Sequence, residues 1–252
     1  MDSAAFVDEL ALYRGNDIRI NEYITVHQPT LKEICEYGER DYYNMIYTLC
    51  SVGADLKWQL DELGIDYTKV SDFQLFYSVL AKGFPKEKTG ILFGSVLDFS
   101  KMEPVFHTQL QEDVLIQVLD EKNIIQIDKY VYASIVSVIR KMHRIKRNDE
   151  QPGNEATRQI LIEDARDEYE SKKNLPNKSY LFPLISAMVN SEGFKHDEKT
   201  VFDMSLFAFM DSVARTGRIK NAGLLLASGY SGFGIDLKKI DKKETDWLGE
   251  LD

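Results

Sequence analysis

The sequence predicts an α+β fold, predominantly helical, with two β-hairpins each followed by a capped helix. Two observations predict it. Apolar residues alternate with polar ones in two short stretches, near 17–26 and 113–127, each interrupted by a polar turn. Most of the remaining apolar residues recur at three and four positions, behind residues that cap helices.

In the first hairpin Ile18, Ile20, Ile24 and Val26 alternate around a turn at Asn21-Glu22. Thr30 with Glu33 then forms a capping box, in which each side chain satisfies the other residue's orphan backbone N–H. The helix it opens runs to about Leu49, with Leu31, Ile34, Cys35, Tyr42, Met45, Ile46 and Leu49 on its apolar face. A second helix covers Asp55 to Leu63 and stops at Gly64, since glycine adopts the left-handed conformation that closes a helix at little cost. Ser71 with Gln74 repeats the capping pattern ahead of Phe73, Phe76, Tyr77 and Leu80.

Around Gly90 the texture changes. Ile91-Leu92-Phe93, Val96 to Phe99 and Val105-Phe106 are short, aromatic-rich and separated by turn formers, which predicts strands or an extended excursion. Val114, Ile116 and Val118 alternate, Asp120 to Asn123 turns the chain, and Ile125 and Ile127 alternate back as the second hairpin. Asp128 caps a helix through Tyr130, Ile135, Val138, Ile139 and Met142.

Residues 146–155 form the longest breaker-rich polar stretch, a linker or functional loop. Asn154 caps a solvated helix to about Lys173 whose apolar line is Ile160, Leu161, Ala165 and Tyr169. A more buried helix spans Tyr180 to Val189, with Pro183 in its first turn. Thr200 to Val213 is apolar on more than one face, as a core helix or one covered by a partner must be. Three regions follow, 1–89, 90–148 and 149–252, which are also compatible with one continuous domain.

A chain of 252 residues, 44% hydrophobic, buries a sizeable core. Its formal charge of −10 repels phosphate backbones at long range, so nucleic acid is disfavoured as a partner and protein is favoured. Two cysteines, Cys35 and Cys50, give no disulfide framework. The sequence signals neither secretion nor a membrane span.

The strongest catalytic candidate is a magnesium-dependent nuclease built on Asp164, Asp167, Glu170 and Lys172, because carboxylates hold the ion and a lysine orients water. Such enzymes set their Glu-x-Lys pair on a strand, where both side chains share a face; here the context is helical, and the run reads as a solvated face of ion pairs. The four histidines are dispersed and lack metal-ligand spacing, and Asp197 and Glu198 beside His196 read as the acidic opening of the next helix. Gly229, Gly232 and Gly234 lack the order of a phosphate-binding loop. Arg140, Arg144 and Arg147 make the one local basic patch, which could meet phosphate or an acidic protein surface; cations in a last helical turn also have a purely structural explanation. The sequence thus implies no catalytic residue, no cofactor and no metal.

Four strings carry a family resemblance: Gln28-Pro-Thr-Leu-Lys-Glu-Ile-Cys-Glu-Tyr-Gly38, Arg147-Asn-Asp-Glu-Gln-Pro-Gly-Asn-Glu-Ala156, Gly193-Phe-Lys-His-Asp-Glu-Lys-Thr-Val201, and the segment from Gly229 to Lys243. Together they resemble an uncharacterised protein group of tailed bacteriophages and prophages of Gram-positive bacteria. The resemblance implies virion morphogenesis in the host cytoplasm, as a tail assembly chaperone with tail tube or tape-measure protein as partner; the alternative is a structural component of the tail, baseplate or head, retained in the virion. A chaperone covers aggregation-prone apolar surface, and the side chains expected to do so are Met204, Phe207, Phe209, Met210, Tyr230 and Phe233.

Overall fold

The computed structural model of the chain describes residues 7–109, 111–231 and 234–251. Its architecture is α+β, with helices dominating and two small antiparallel sheets. Asp8 caps α1 (Glu9–Tyr13). Strands β1 (Ile18–Arg19) and β2 (Thr25–Val26) pair with Ile18 opposite Val26, and Asn21 Oδ1 closes the turn by accepting from the amides of Tyr23 and Ile24. The Thr30–Glu33 capping box forms as expected and opens α2 (Leu31–Tyr37).

The single helix expected to Leu49 is two. Gly38 sits at φ 102°, a conformation that ends α2 and lets α3 (Glu39–Cys50) start in a new direction. A 3-10 turn leads into α4 (Lys57–Glu62), and Gly64 ends that region at positive φ. Ser71 caps α5 (Asp72–Leu75), which widens into a π turn over Phe76–Leu80.

The region around Gly90 departs from expectation. Residues 91–93 close α6 (Lys86–Phe93), not a strand, and Val96 to Asp98 lie outside any sheet. Leu92 and Phe93 are buried in the main core, so burial of one helical face outweighs the local β preference of this apolar run. Only Val105 and Phe106 are in a strand, β3 (Glu103–His107). It adds to β4 (Glu112–Val118) and β5 (Ile124–Ile127) in a meander of order β3-β4-β5, extending the expected second hairpin by one strand.

Asp128 caps α7 (Lys129–His143), whose residues Ile135, Val138, Ile139 and Met142 are buried. The polar stretch that follows is tied down: Arg147 donates to Asp72 (3.0 and 3.1 Å), Asn148 to Asp55 (2.8 Å), and Glu150 pairs with the nearly buried Lys57. Asn154 caps α8 (Glu155–Lys172).

The inward line of α8 corrects the sequence reading. Ile162 is 1% exposed and joins Leu60, Tyr67 and Leu75 in a small second core, whereas Ile160 is 57% exposed. Positions 158, 162, 165 and 169 share one helical face, and along it Arg158 approaches Asp61, Arg166 approaches Glu62 and Tyr169 meets Trp58 at 5.1 Å.

Helices α9 (Leu181–Val189), α10 (Leu206–Tyr230) and α11 (Lys242–Thr245) complete the chain. The expected continuous helix over 200–213 is broken: a 3-10 turn covers Thr200–Asp203, and Ser205 then caps α10. The break is fixed by pairing with the start of α2, where Leu31 N donates to Met204 O and Leu206 N to Pro29 O, both at 3.0 Å. The main hydrophobic core takes side chains from all three expected regions, among them Ile34 and Phe76, Ile125 and Ile139, and Leu181 and Phe209. No helix among the described residues is long and apolar enough to cross a membrane.

Candidate protein-contact face

Helix α3 has two faces. Tyr42, Met45, Ile46 and Leu49 point into the core, while Tyr43 and Tyr47, four residues apart, lie beside that stripe. Helix α9 is fixed against this outer side. Tyr180, at its N-terminal end, makes no side-chain cap, and Glu39 from the first turn of α3 supplies one instead. Its carboxylate accepts from the amides of Tyr180 and Leu181 (both 2.7 Å) and from the Ser179 hydroxyl (2.6 Å). Anionic oxygen at these orphan N–H groups also suits the positive end of the helix dipole.

This anchoring gathers aromatic rings on one surface. The Tyr43 ring lies 5.6 Å from Tyr180, edge to face, and 6.3 Å from Tyr47. Tyr47 is 58% exposed and Tyr180 54%; Phe182, at 71%, projects from another side of α9, roughly 160° around the helix from Tyr180. Burial, and then the neighbouring Tyr180, pushes the phenols of Tyr43 and Tyr47 above the usual tyrosine range, so both stay protonated hydrogen-bond donors. A rigid, half-exposed aromatic surface with hydroxyl tips contacts apolar protein surface at low entropic cost.

The residues expected to make protein contacts are divided by the fold. Phe207 and Phe209 are buried, at 6% and 0% exposure, and belong to the main core, so they cannot cover a partner without unfolding α10. Met204 and Met210 are half-buried against the same core. Tyr230 is 81% exposed at the end of α10, and Phe233 lies outside the described residues. The aromatic face was legible in part: Tyr43 and Tyr47 fall off the apolar stripe of α3 at helical spacing, whereas its completion by α9 requires the long-range contact of Glu39.

The expected basic patch is spent on internal bonds. Arg140 donates to the Cys50 carbonyl, Arg144 pairs with Asp211 at 2.9 Å, and Arg147 pairs with Asp72 and Asp149. Arg144 is also at φ 55°, which ends α7 and sends Arg147 off the helix. Asp164, Asp167, Glu170 and Lys172 all lie on the exposed side of α8. Lys172 projects roughly 160° around the helix from Glu170 and pairs with Glu168, while Glu170 pairs with Lys173. Among the described residues no three His, Cys, Asp or Glu side chains are grouped to hold a metal.

Two histidines make polar ties. His27 bridges Asp17 (2.7 Å) and Glu33 (3.2 Å) beside an open groove of about 390 Å³, stitching the first hairpin to α2. His143 joins α7 to α3: its Nδ1 lies 2.7 Å from the Ile139 carbonyl and its Nε2 2.6 Å from the Tyr42 hydroxyl. A carbonyl only accepts, so Nδ1 carries the proton and Nε2 accepts from the phenol.

No protein-family model, curated protein or solved structure matches this chain.

Proposed function

We propose that this is a non-catalytic phage morphogenesis protein that acts like a tail assembly chaperone, through protein contacts made by the α3–α9 aromatic face. The observation that carries the reading is the contiguity of Tyr43, Tyr47 and Tyr180, with Tyr47 and Tyr180 about half exposed and α9 fixed by the Glu39 cap. Apolar surface so presented marks an interaction site more often than chance exposure does. The family resemblance supplies the partner class, tail tube or tape-measure protein of the same phage, and an apolar segment of either would seat on the rings.

Expression of the tagged chain during phage infection, with mass spectrometry of co-purifying proteins and of mature particles, tests the reading. Recovery with tail tube or tape-measure protein, absence from particles, and loss of that recovery in a Tyr47→Ser, Tyr180→Ser variant are the expected results. Stoichiometric presence in particles makes the chain a structural component instead. Recovery undiminished by the double substitution removes the aromatic face from the account.

A further inference from the structure

Beyond α10 the chain turns back along the helix it has just left. Arg215 Nη1 donates to the carbonyls of Trp247 (2.7 Å) and Gly249 (2.8 Å). Arg218 donates through Nε to the carbonyl of Asp246 (2.8 Å), through Nη2 to that of Lys243 (3.2 Å), and through Nη1 to that of Glu250. Asn221 Nδ2 donates to Glu244 Oε2 at 3.2 Å. Positions 215, 218 and 221 follow one another at i+3, so they form one edge of α10. The carbonyls they hold belong to α11 and the turns after it, groups that a helix C-terminus leaves without intrahelical partners.

Glycine makes the approach possible at two points. Leu237 rests against Gly229, where a methyl group would overlap its side chain, and a Cβ on Gly249 would lie 2.7 Å from Arg218 Nη2. Little else holds the segment. Neither α11 nor the 3-10 turn Leu237–Lys239 contains a buried residue, Trp247 and Leu248 are 48% and 72% exposed, and neither hydrophobic core includes a side chain from it. A segment fastened by exposed hydrogen bonds, with few buried apolar contacts, opens at a small fraction of the global unfolding free energy.

We infer that residues 234–251 are a detachable latch, and that the edge Arg215–Arg218–Asn221 beneath it docks a helix-terminating segment of a partner protein that offers its closing-turn carbonyls and one carboxylate. The latch displays the chemistry of the occupant: closing-turn carbonyls for the two guanidiniums and a carboxylate in the place of Glu244. The inference rests on the reading of the chain as one that works through protein contacts, and it adds a face distinct from α3–α9. Because the latch is tethered, it competes at high effective concentration, and a partner must displace it to bind.

The probe is a fluorescein-labelled synthetic peptide with the sequence of residues 238–251, which keeps the groups bound by Arg215, Arg218 and Asn221 but lacks Leu237, titrated into the full chain and followed by anisotropy. The wild type is expected to bind it weakly, since its own latch fills the site. Gly229→Ala is expected to tighten binding at least about tenfold, because the new methyl expels Leu237. Leu237→Ser opens the latch from the other side without altering α10, and is expected to do the same. Adding Arg215→Ala and Arg218→Ala to either opened variant is expected to abolish binding. Equal peptide affinity for the wild type and both opened variants, or binding that survives loss of both arginines, overturns the inference. No phage partner enters this measurement, so its failure leaves the aromatic-face reading standing, and failure of the co-purification leaves the latch standing.

Discussion

Acidification should weaken this protein through one side chain, His143, well before its carboxylates protonate. Burial presses the imidazole pKa down to about 4 from an ordinary 6.5, against the opposing effect of the Ile139 carbonyl. Between those values the unfolded chain binds a proton that the folded chain refuses, so the stability associated with the neutral ring is complete above 6.5 and is lost as pH falls toward 4. Linkage over that interval gives a loss of about 2 kcal/mol between roughly pH 8 and pH 5. His143 keeps part of its surface in contact with solvent, which screens the charge and makes about 1–2 kcal/mol the expected range. Urea unfolding of the wild type and His143→Leu at several pH values over this interval measures it. The variant should be less stable at neutral pH, because the buried Tyr42 hydroxyl loses its acceptor, and its stability should depend less on pH. Equal pH slopes for the two proteins would show that the reasoning about His143 is wrong. Carboxylates held below their usual range, Glu33, Asp66 and Asp98, act in the same direction but lose their contribution only at lower pH, through their own depressed pKa values.

Other perturbations separate the structure from simpler readings of the sequence. Ile162→Ala should cost about 2–4 kcal/mol in urea unfolding, and Ile160→Ala within about 0.5 kcal/mol of nothing, because only the former leaves a cavity; similar costs would put the inward line of α8 in the wrong place. Glu39→Ala should cost about 1–2 kcal/mol and raise amide hydrogen exchange across 180–184, where the cap is lost; unchanged exchange there would show that α9 does not depend on α3. Arg144→Ala should destabilise by about 1–3 kcal/mol by stranding the half-buried Asp211, as thermal melts would show; a variant as stable as the wild type would return this arginine to the role of a free surface cation.

Local chemistry was the legible part of this chain. Asp128, Thr30, Ser71 and Asn154 carry hydrogen bonds that require only a neighbour two or three residues away, so both hairpin-and-helix units and the starts of α2, α5, α7 and α8 follow from spacing alone. The failures share a cause. Residues 91–93 have strand-like composition and become helix because Leu92 and Phe93 are needed by the core. Arg140, Arg144 and Arg147 look like a patch until a distant carbonyl and the carboxylates of Asp72, Asp149 and Asp211 take them up.

The sequence by itself determined the fold class, the caps of α2, α5, α7 and α8 and the apolar stripes of α3 and α7, since these depend on backbone periodicity and on groups adjacent along the chain. Only the tertiary structure decided which aromatic side chains are core and which are surface. Phe209 and Tyr47 are similar residues on similar helices, and what separates them is whether another element happens to lie across that face. Contact between positions 39 and 180, or between 218 and 246, is settled by the global packing of helices, which no local window of sequence contains.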